Sequence, residues 1–157
     1  MNLSPHFTLW EMCKSSTAKR LGLANTPGDA EIAALVALCE NALEPIRAQI
    51  KKPIRINSGY RSPELNRAIG GSKTSQHCKG EAADLEIWGV SNLDLARFIR
   101  GSSIPFDQLI LEHHDPEAGP NSGWVHLSHR ATDNRGQVLT ASRVNGRTVY
   151  ARDLPGD

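Results

Sequence analysis

Three short segments in the second half of the chain alternate apolar and polar side chains, and they limit the fold more than any other feature. They cover residues 82–87, 106–112 and 124–128. Successive side chains of a β-strand point to opposite faces, so each segment can bury one face and keep polar groups on the other. The alternation predicts three strands of one sheet that covers a single hydrophobic core.

Helices are predicted mainly in the first half of the chain. A helical repeat of apolar residues covers 30–50, and Pro45 within it should kink or divide the helix. Shorter helices are expected near 9–14, 62–70 and 92–100, with further strands near 53–57, 138–140 and 148–151. Helices that come first and strands that follow favour an α+β fold, with helices packed on a mostly antiparallel sheet.

The length and charge of the chain narrow the class of protein. A chain of 157 residues suggests one domain, 1–157, with a core over about 5–130 and a C-terminal extension over 131–157. The formal net charge is +1, which argues against a nucleic-acid partner because that contact needs a clear basic excess. Three cysteines without a Cys-x-x-Cys spacing indicate no disulfide framework.

The N-terminal region indicates where the chain is made. Residues 1–6 lack the basic region and apolar run of a signal peptide, so we expect synthesis in the cytoplasm. No stretch approaches the roughly 18 apolar residues that cross a bilayer, so we expect no membrane span. We also expect the protein to be a monomer.

The strongest chemical signal is the stretch 75–84, in which His77 and Asp84 lie seven residues apart. Imidazole nitrogen and carboxylate oxygen both bind zinc at about 2.0–2.2 Å. Gly80 lies between them and permits the sharp turn that would bring a loop histidine and a strand aspartate to one ion. A third ligand is needed, and His126 is the best candidate.

The alternation of the strands supports this set of residues. Asp84, Glu112 and His126 each lie at a polar position, so all three can share the exposed face of the sheet. Two histidines and one carboxylate leave a fourth zinc position open, which is the pattern of a catalytic site. Glu112 can then act as the general base that takes a proton from water.

Two motifs make the chain recognisable: residues 75–84 read S-x-H-x-x-G-x-A-x-D, and residues 124–126 read W-V-H. Together they resemble the D-Ala-D-Ala carboxypeptidase-type zinc peptidases, which share a metallopeptidase clan with lysostaphin-like enzymes and the hedgehog signalling domain. Matching segments lie at 7–11, 43–47, 56–62, 65–66 and 70–72, so the resemblance spans roughly residues 5–130. The chain looks like the compact form that bacteriophages and prophages often encode.

The resemblance implies a fold, a function and a set of site residues. It implies a hedgehog/D,D-peptidase-like fold, Zn²⁺ bound by His77, Asp84 and His126, and a substrate contact by Arg61, whose guanidinium suits a carboxylate or a carbonyl. The implied activity is hydrolysis of peptide bonds in peptidoglycan stem peptides, by a D,D-carboxypeptidase or an endopeptidase such as a phage lysin. The protein would then act on the cell wall, by a release route that the sequence does not show.

Two positions depart from the family pattern. Many relatives carry the catalytic glutamate three residues before the last zinc histidine, where this chain has Gly123, and others carry a histidine where this chain has Trp124. Glu112 matches the position of a hedgehog-domain glutamate, and we assign the role of base to it. If Glu112 is not the base, the alternative is a zinc-binding, catalytically inactive module that binds the cell wall or belongs to a virion.

Two other interpretations stay open from the sequence. Cys78 beside His77 suggests a Cys–His hydrolase, which is disfavoured because adjacent side chains of an extended segment diverge. Arg61 can instead hold the 58–62 turn together by pairing with a local carboxylate.

Overall fold

Residues 1–156, which the computed structural model describes, form six α-helices and six β-strands. The helices are α1 (Leu9–Cys13), α2 (Ser16–Leu21), α3 (Asp29–Leu38), α4 (Glu44–Ile50), α5 (Pro63–Ala68) and α6 (Asn92–Gly101). The strands are β1 (Arg55–Ser58), β2 (Ala82–Glu86), β3 (Gln108–Glu112), β4 (Trp124–Ser128), β5 (Gln137–Val144) and β6 (Arg147–Arg152). None of the helices in this part of the chain is long and apolar enough to cross a membrane.

The six strands belong to one sheet. Their order is β1-β2-β4-β3-β5-β6, and each neighbouring pair is antiparallel except β3 with β5, which is parallel. The α+β class and the mostly antiparallel sheet expected from the sequence are confirmed. All three segments whose alternation predicted a strand form one, and they lie side by side as β2, β4 and β3.

One face of the sheet forms the hydrophobic core with the helices. The sheet contributes Leu85, Leu109, Leu111, Val125 and Leu127 to this core. Helices α3, α4 and α6 contribute Leu35, Ile46 and Leu95, which are completely buried. Full burial of such a side chain stabilises the fold by roughly 1.5–3 kcal/mol. Because the apolar positions of the strands face the helices, the alternating positions lie on the opposite face of the sheet.

The long helical repeat of the first half is divided, as Pro45 predicted. Helix α3 ends at Leu38, and a π-helical turn at Cys39–Leu43 leads into α4, which has Pro45 in its first turn. A proline inside a helix lacks an N–H and clashes with the carbonyl four residues earlier. In the wider π turn the Glu44 N–H bonds to the Cys39 carbonyl, five residues earlier, so helical hydrogen bonding continues up to the proline.

The C-terminal region adds a hairpin to the sheet. Strands β5 and β6 contain the strands predicted near 138–140 and 148–151 and are longer than predicted. Strand β5 pairs with β3 from Gln108↔Gln137 to Glu112↔Ala141. All six residues of β6 are exposed, so apolar alternation could not reveal the full length of this strand.

Candidate metal centre

The three residues predicted to bind zinc come from three different parts of the chain. His77 lies on a short 3₁₀ turn, Gln76–Lys79, whereas Asp84 lies on β2 and His126 on β4. Asp84 and His126 are paired directly across the two antiparallel strands, so their side chains emerge side by side on the face away from the core. The 3₁₀ turn places His77 over this pair.

Gly80 makes the turn between His77 and Asp84 possible. It ends the 3₁₀ turn in the left-handed conformation, with φ +71°, which glycine adopts without strain. A Cβ at this position would also overlap the backbone oxygen of Glu31 on α3. The glycine therefore permits both the change of direction and the close packing of the turn on the helix.

The donor atoms of the three side chains form a nearly equilateral triangle. His77 Nε2 lies 3.3 Å from Asp84 Oδ1, His126 Nδ1 lies 3.2 Å from the same oxygen, and the two nitrogens are 3.2 Å apart. A tetrahedral zinc ion with bonds of about 2.0–2.1 Å separates neighbouring ligand atoms by about 3.3–3.4 Å. All three side chains are buried. The spacing and the donor types therefore fit a zinc ion bound by His77, Asp84 and His126.

A hydrogen bond fixes which nitrogen of His77 faces the other two residues. The His77 Nδ1–H donates to the Gly59 carbonyl at 2.7 Å, which leaves Nε2 free to act as a ligand. Gly59 itself packs against α1, where an added Cβ would overlap the Met12 carbonyl. The Tyr60 N–H donates to that same carbonyl at 2.7 Å. The orientation of the His77 ring thus depends on contacts between α1 and the segment after β1.

The Asp84 carboxylate is stabilised by its neighbours. Burial alone would raise its pKa, but the adjacent His77 and His126 outweigh that effect and hold the pKa well below its usual range. Arg61 adds a further positive charge, with Nη2 3.3 Å from Asp84 Oδ2. The carboxylate therefore stays ionised, as a metal ligand must.

Arg61 contacts the metal centre from the side of β1. Its Nε donates to Ser58 Oγ at 3.1 Å and its Nη1 donates to Asn66 Oδ1 at 3.4 Å, in addition to the contact with Asp84. The sequence left open a pairing of Arg61 with a local carboxylate of the 58–62 turn, but the carboxylate that it contacts is Asp84 on β2, the proposed metal ligand, and its contact within the turn is the Ser58 hydroxyl. The side chain is mostly buried, so its three contacts hold the guanidinium in one place.

Glu112 lies beside the triangle, on the face that the alternation predicted. Its Oε1 is 4.0 Å from His126 Nδ1, and its side chain remains partly exposed. Burial and the negative charge of Asp84 raise the pKa of Glu112, while His126 and Arg61 oppose this rise. The Glu112 carboxylate therefore lies beside the candidate metal site without contacting all three of its residues.

Gly123 leaves no room for a side chain at the position where many relatives carry glutamate. The residue has φ +67°, and a Cβ there would overlap the backbone oxygen of Glu112. The next residue, Trp124, pairs with Glu112 across β4 and β3, and its ring contacts that of His113 in a tilted arrangement with centroids 5.3 Å apart. Glu112 therefore lies next to His126, as Asp84 does, without being one of the three candidate ligands.

Two residues near the centre were missed from the sequence. Asp107 is completely buried and accepts hydrogen bonds from Gln76 and Arg135, so it ties the 3₁₀ turn that carries His77 to the loop before β5. Tyr150 lies in one row with Glu112, because both pair with Ala141. Burial and the charge of Glu112 raise the pKa of Tyr150. The positions of Asp107 and Tyr150 both depend on contacts between segments that are far apart in the sequence, so no local motif reveals them.

The three cysteines are unpaired in the structure. Cys78 follows His77 on the 3₁₀ turn, and burial raises the pKa of its thiol, although Arg61 partly opposes that effect. A raised pKa reduces the fraction of reactive thiolate. The geometry therefore gives no support to a Cys–His hydrolase.

The α+β fold thus carries a buried triangle of two histidines and one aspartate that could hold a metal ion. The chain belongs to the peptidase M15 family, whose model matches residues 5–128. This match confirms the resemblance inferred from the motifs, and membership implies a peptidase of a generally zinc-dependent kind. No curated protein gives a match to the chain. The family match ends at β4, so the hairpin of β5 and β6 lies beyond it.

Proposed function

We propose that this protein is a zinc-dependent peptidase that cuts peptide bonds in the stem peptides of peptidoglycan, as a D,D-carboxypeptidase or as an endopeptidase such as a phage lysin. The observation that carries the proposal is the triangle of His77 Nε2, Asp84 Oδ1 and His126 Nδ1, with the Glu112 carboxylate beside it. Membership of the peptidase M15 family supports the reaction type. The choice of substrate, and with it action on the cell wall, rests on the resemblance of the motifs to D-Ala-D-Ala carboxypeptidase-type enzymes.

His77, Asp84 and His126 would hold the zinc ion. When bound, zinc supplies Lewis-acid polarisation of a carbonyl and lowers the pKa of water. The donor set supports this assignment because two imidazoles and one carboxylate leave a coordination position for a substrate or a water molecule. The Gly59 carbonyl would fix the tautomer of His77 and hold its ring in the ligating orientation.

Glu112 would carry the proton during hydrolysis. Its carboxylate takes a proton from the attacking water and passes it to the nitrogen of the leaving amine. Its Oε1 lies 4.0 Å from His126 Nδ1, which places the carboxylate beside the position where water would be activated. The partial exposure of its side chain leaves it accessible to a substrate.

Arg61 would bind the substrate from the opposite side of the triangle. Its guanidinium can donate to a carbonyl or a carboxylate of the peptide while Nη2 remains near Asp84. The same side chain therefore both positions a metal ligand and binds the substrate.

The second candidate function is a catalytically inactive zinc module that binds the cell wall or belongs to a virion. The observation that favours it is Gly123, which stands where many relatives carry the catalytic glutamate and cannot be replaced without a backbone overlap. This candidate predicts zinc binding without hydrolysis, whereas the peptidase predicts both.

Purified cell walls from several bacterial species distinguish the two candidates. The protein is incubated with the walls with and without a chelator, turbidity is followed, and released products are identified by mass. An endopeptidase lowers turbidity and creates new amino termini, whereas a carboxypeptidase releases D-alanine without loss of turbidity. The chelator should stop either reaction and added zinc should restore it. Stoichiometric zinc without any product from any wall would support the inactive module.

A further inference from the structure

An open groove extends from Arg61 along the free edge of the sheet. It has a volume of about 700 Å³ and lies between α1, α2, α5 and the edge strand β1. Ser58 and Arg61 line the groove at one end, and Arg61 also contacts Asp84, so this one side chain is shared by the groove and the metal centre. Its volume is within the range of ligand-binding clefts, about 300–1,000 Å³.

The charge of the groove is one-sided. Four cations line it, Lys14, Lys19, Arg55 and Arg61, and no aspartate or glutamate does so. Among residues 1–156, neither Lys14 nor Lys19 nor Arg55 forms an ion pair, and all three are exposed. The chain as a whole has a formal net charge of only +1, so this concentration of positive charge is local. It creates a potential that attracts an anionic ligand to this groove.

The walls of the groove suit a peptide. Strand β1 is an edge strand that pairs with β2 alone, so the main chain on its other side is available for an added strand. Trp10 and Ile69 line the groove with 71% and 45% of their surfaces exposed. An extended peptide can therefore bond to β1 and place side chains against these two residues.

We propose that the groove binds an acidic peptide segment, whose carboxylates pair with Lys14, Lys19 and Arg55 while its backbone lies along β1. This inference rests on the proposed function, because it names the chemistry of the substrate that enters the metal centre. That substrate is a peptide whose carboxylates lie in the groove, on the side of the centre away from Glu112. Arg61 lines the groove and also contacts Asp84 of the centre.

Binding to the zinc-free protein tests the proposal without any need for catalysis. The probes are the stem peptide L-Ala-γ-D-Glu-L-Lys-D-Ala-D-Ala and the same peptide with both carboxylates amidated, titrated by calorimetry. The test variant carries Lys14→Gln, Lys19→Gln and Arg55→Gln. The control variant carries Lys51→Gln, Arg143→Gln and Arg147→Gln, which remove three exposed cations outside the groove.

The acidic peptide should bind wild type and the control variant with similar affinity and the groove variant about tenfold more weakly, because its two carboxylates lose their exposed cationic partners. The amidated peptide should bind weakly and equally to all three. Equal affinity for both peptides, or an unchanged affinity of the groove variant, would overturn the proposal. Tighter binding of an oligonucleotide of equal charge would overturn it as well.

Hydrolysis by the zinc-loaded protein separates this proposal from the proposed function. If wild type cuts both peptides equally and the groove variant matches it, the enzyme assignment stands and the groove assignment fails. If no peptide is cut but the binding of the acidic peptide depends on the three cations, the groove assignment stands and the enzyme assignment fails.

Discussion

The two oxygens of Asp84 have different partners: Oδ2 lies 3.3 Å from Arg61 Nη2, whereas Oδ1 lies 3.2 Å from His126 Nδ1 and 3.3 Å from His77 Nε2. One carboxylate therefore joins the candidate metal site to the groove along β1. The guanidinium holds the carboxylate so that Oδ1 faces the two histidines. A change at Arg61 should affect both metal geometry and substrate binding.

Replacement of Arg61 should weaken catalysis far more than folding. We expect Arg61→Ala to lower kcat/KM on a stem peptide by about 10²-fold, since removal of one positioned donor commonly has such an effect. Arg61→Lys should recover part of this loss, because it restores the charge without the planar guanidinium. The matched control is Arg67→Ala, an exposed arginine on α5. Unchanged kinetics, or a fall in Tm that accounts for the lost activity, would give Arg61 a structural role alone.

The zinc content of ligand variants tests the triangle directly. Wild-type protein should contain close to one zinc per chain, and His126→Ala or Asp84→Ala should lose most of it because two remaining donors hold zinc poorly. His114→Ala is the control, since that histidine lies outside the triangle and bonds to the Ser122 carbonyl instead. Metal analysis after dialysis measures the effect. Full occupancy in both ligand variants would exclude the site.

Contacts behind His77 should also matter for metal affinity. In Gly59→Ala the new methyl group would overlap the Met12 carbonyl, so the segment must shift at a cost of about 1–3 kcal/mol in the free energy of unfolding. The shift would displace the carbonyl that orients His77, and we expect zinc affinity to fall about 10–100-fold. Gly101→Ala is the control, because a Cβ there has no neighbour within 4 Å. Zinc titration and denaturant unfolding would show whether the two effects occur together.

The Asp107–Arg135 pair should make stability depend on pH. Hydrogen bonds from Arg135 hold the pKa of Asp107 below its usual range, so the pair stabilises the fold above the unfolded-state pKa of about 3.9 and is lost as pH falls through the lower folded-state value. Arg135→Gln should reduce the free energy of unfolding by about 1 kcal/mol at pH 7, a modest value because half of the Arg135 side chain is exposed.

The difference between wild type and Arg135→Gln should shrink as the pH falls below about 3.9, and it should vanish only below the lowered folded-state pKa of Asp107, where this carboxyl is protonated in both proteins. Urea unfolding at a series of pH values provides the measurement. Arg143→Gln on β5 removes an exposed arginine outside the pair and should show no such trend. A difference that stays constant with pH would mean that the charge of Asp107 does not contribute to the effect.

The sequence predicted the parts of the site that follow from strand alternation. Asp84, Glu112 and His126 occupy polar positions of segments with a clear period of two, and that period alone decides which face each side chain takes. The contact of Arg61 with Asp84 could not be predicted, because it depends on how the segment after β1 packs on α1. The parallel pairing of β5 with β3, which brings Tyr150 into one row with Glu112, connects segments that share no local pattern.

Replacement of Glu112 separates the peptidase from the inactive module. Glu112→Gln keeps the shape of the side chain but cannot accept a proton, and proton transfer of this kind contributes about 10²–10⁴-fold to the rate. We expect the variant to lose hydrolysis by such a factor and to keep zinc, since Glu112 is not one of the three proposed ligands. Glu117→Gln, an exposed glutamate in the loop after β3, is the control.

Gly123→Glu completes the test of the base. A glutamate at this position would reproduce the pattern of many relatives, but its Cβ would overlap the Glu112 backbone oxygen and its φ would be strained. The double variant Glu112→Gln with Gly123→Glu should therefore stay inactive and unfold more easily than Glu112→Gln. If Glu112→Gln cuts the stem peptide at the wild-type rate, Glu112 is not the base, and the proton must pass through another group near His126. If wild type and Glu112→Gln both bind zinc and neither cuts any wall, the inactive module is the better description of the protein.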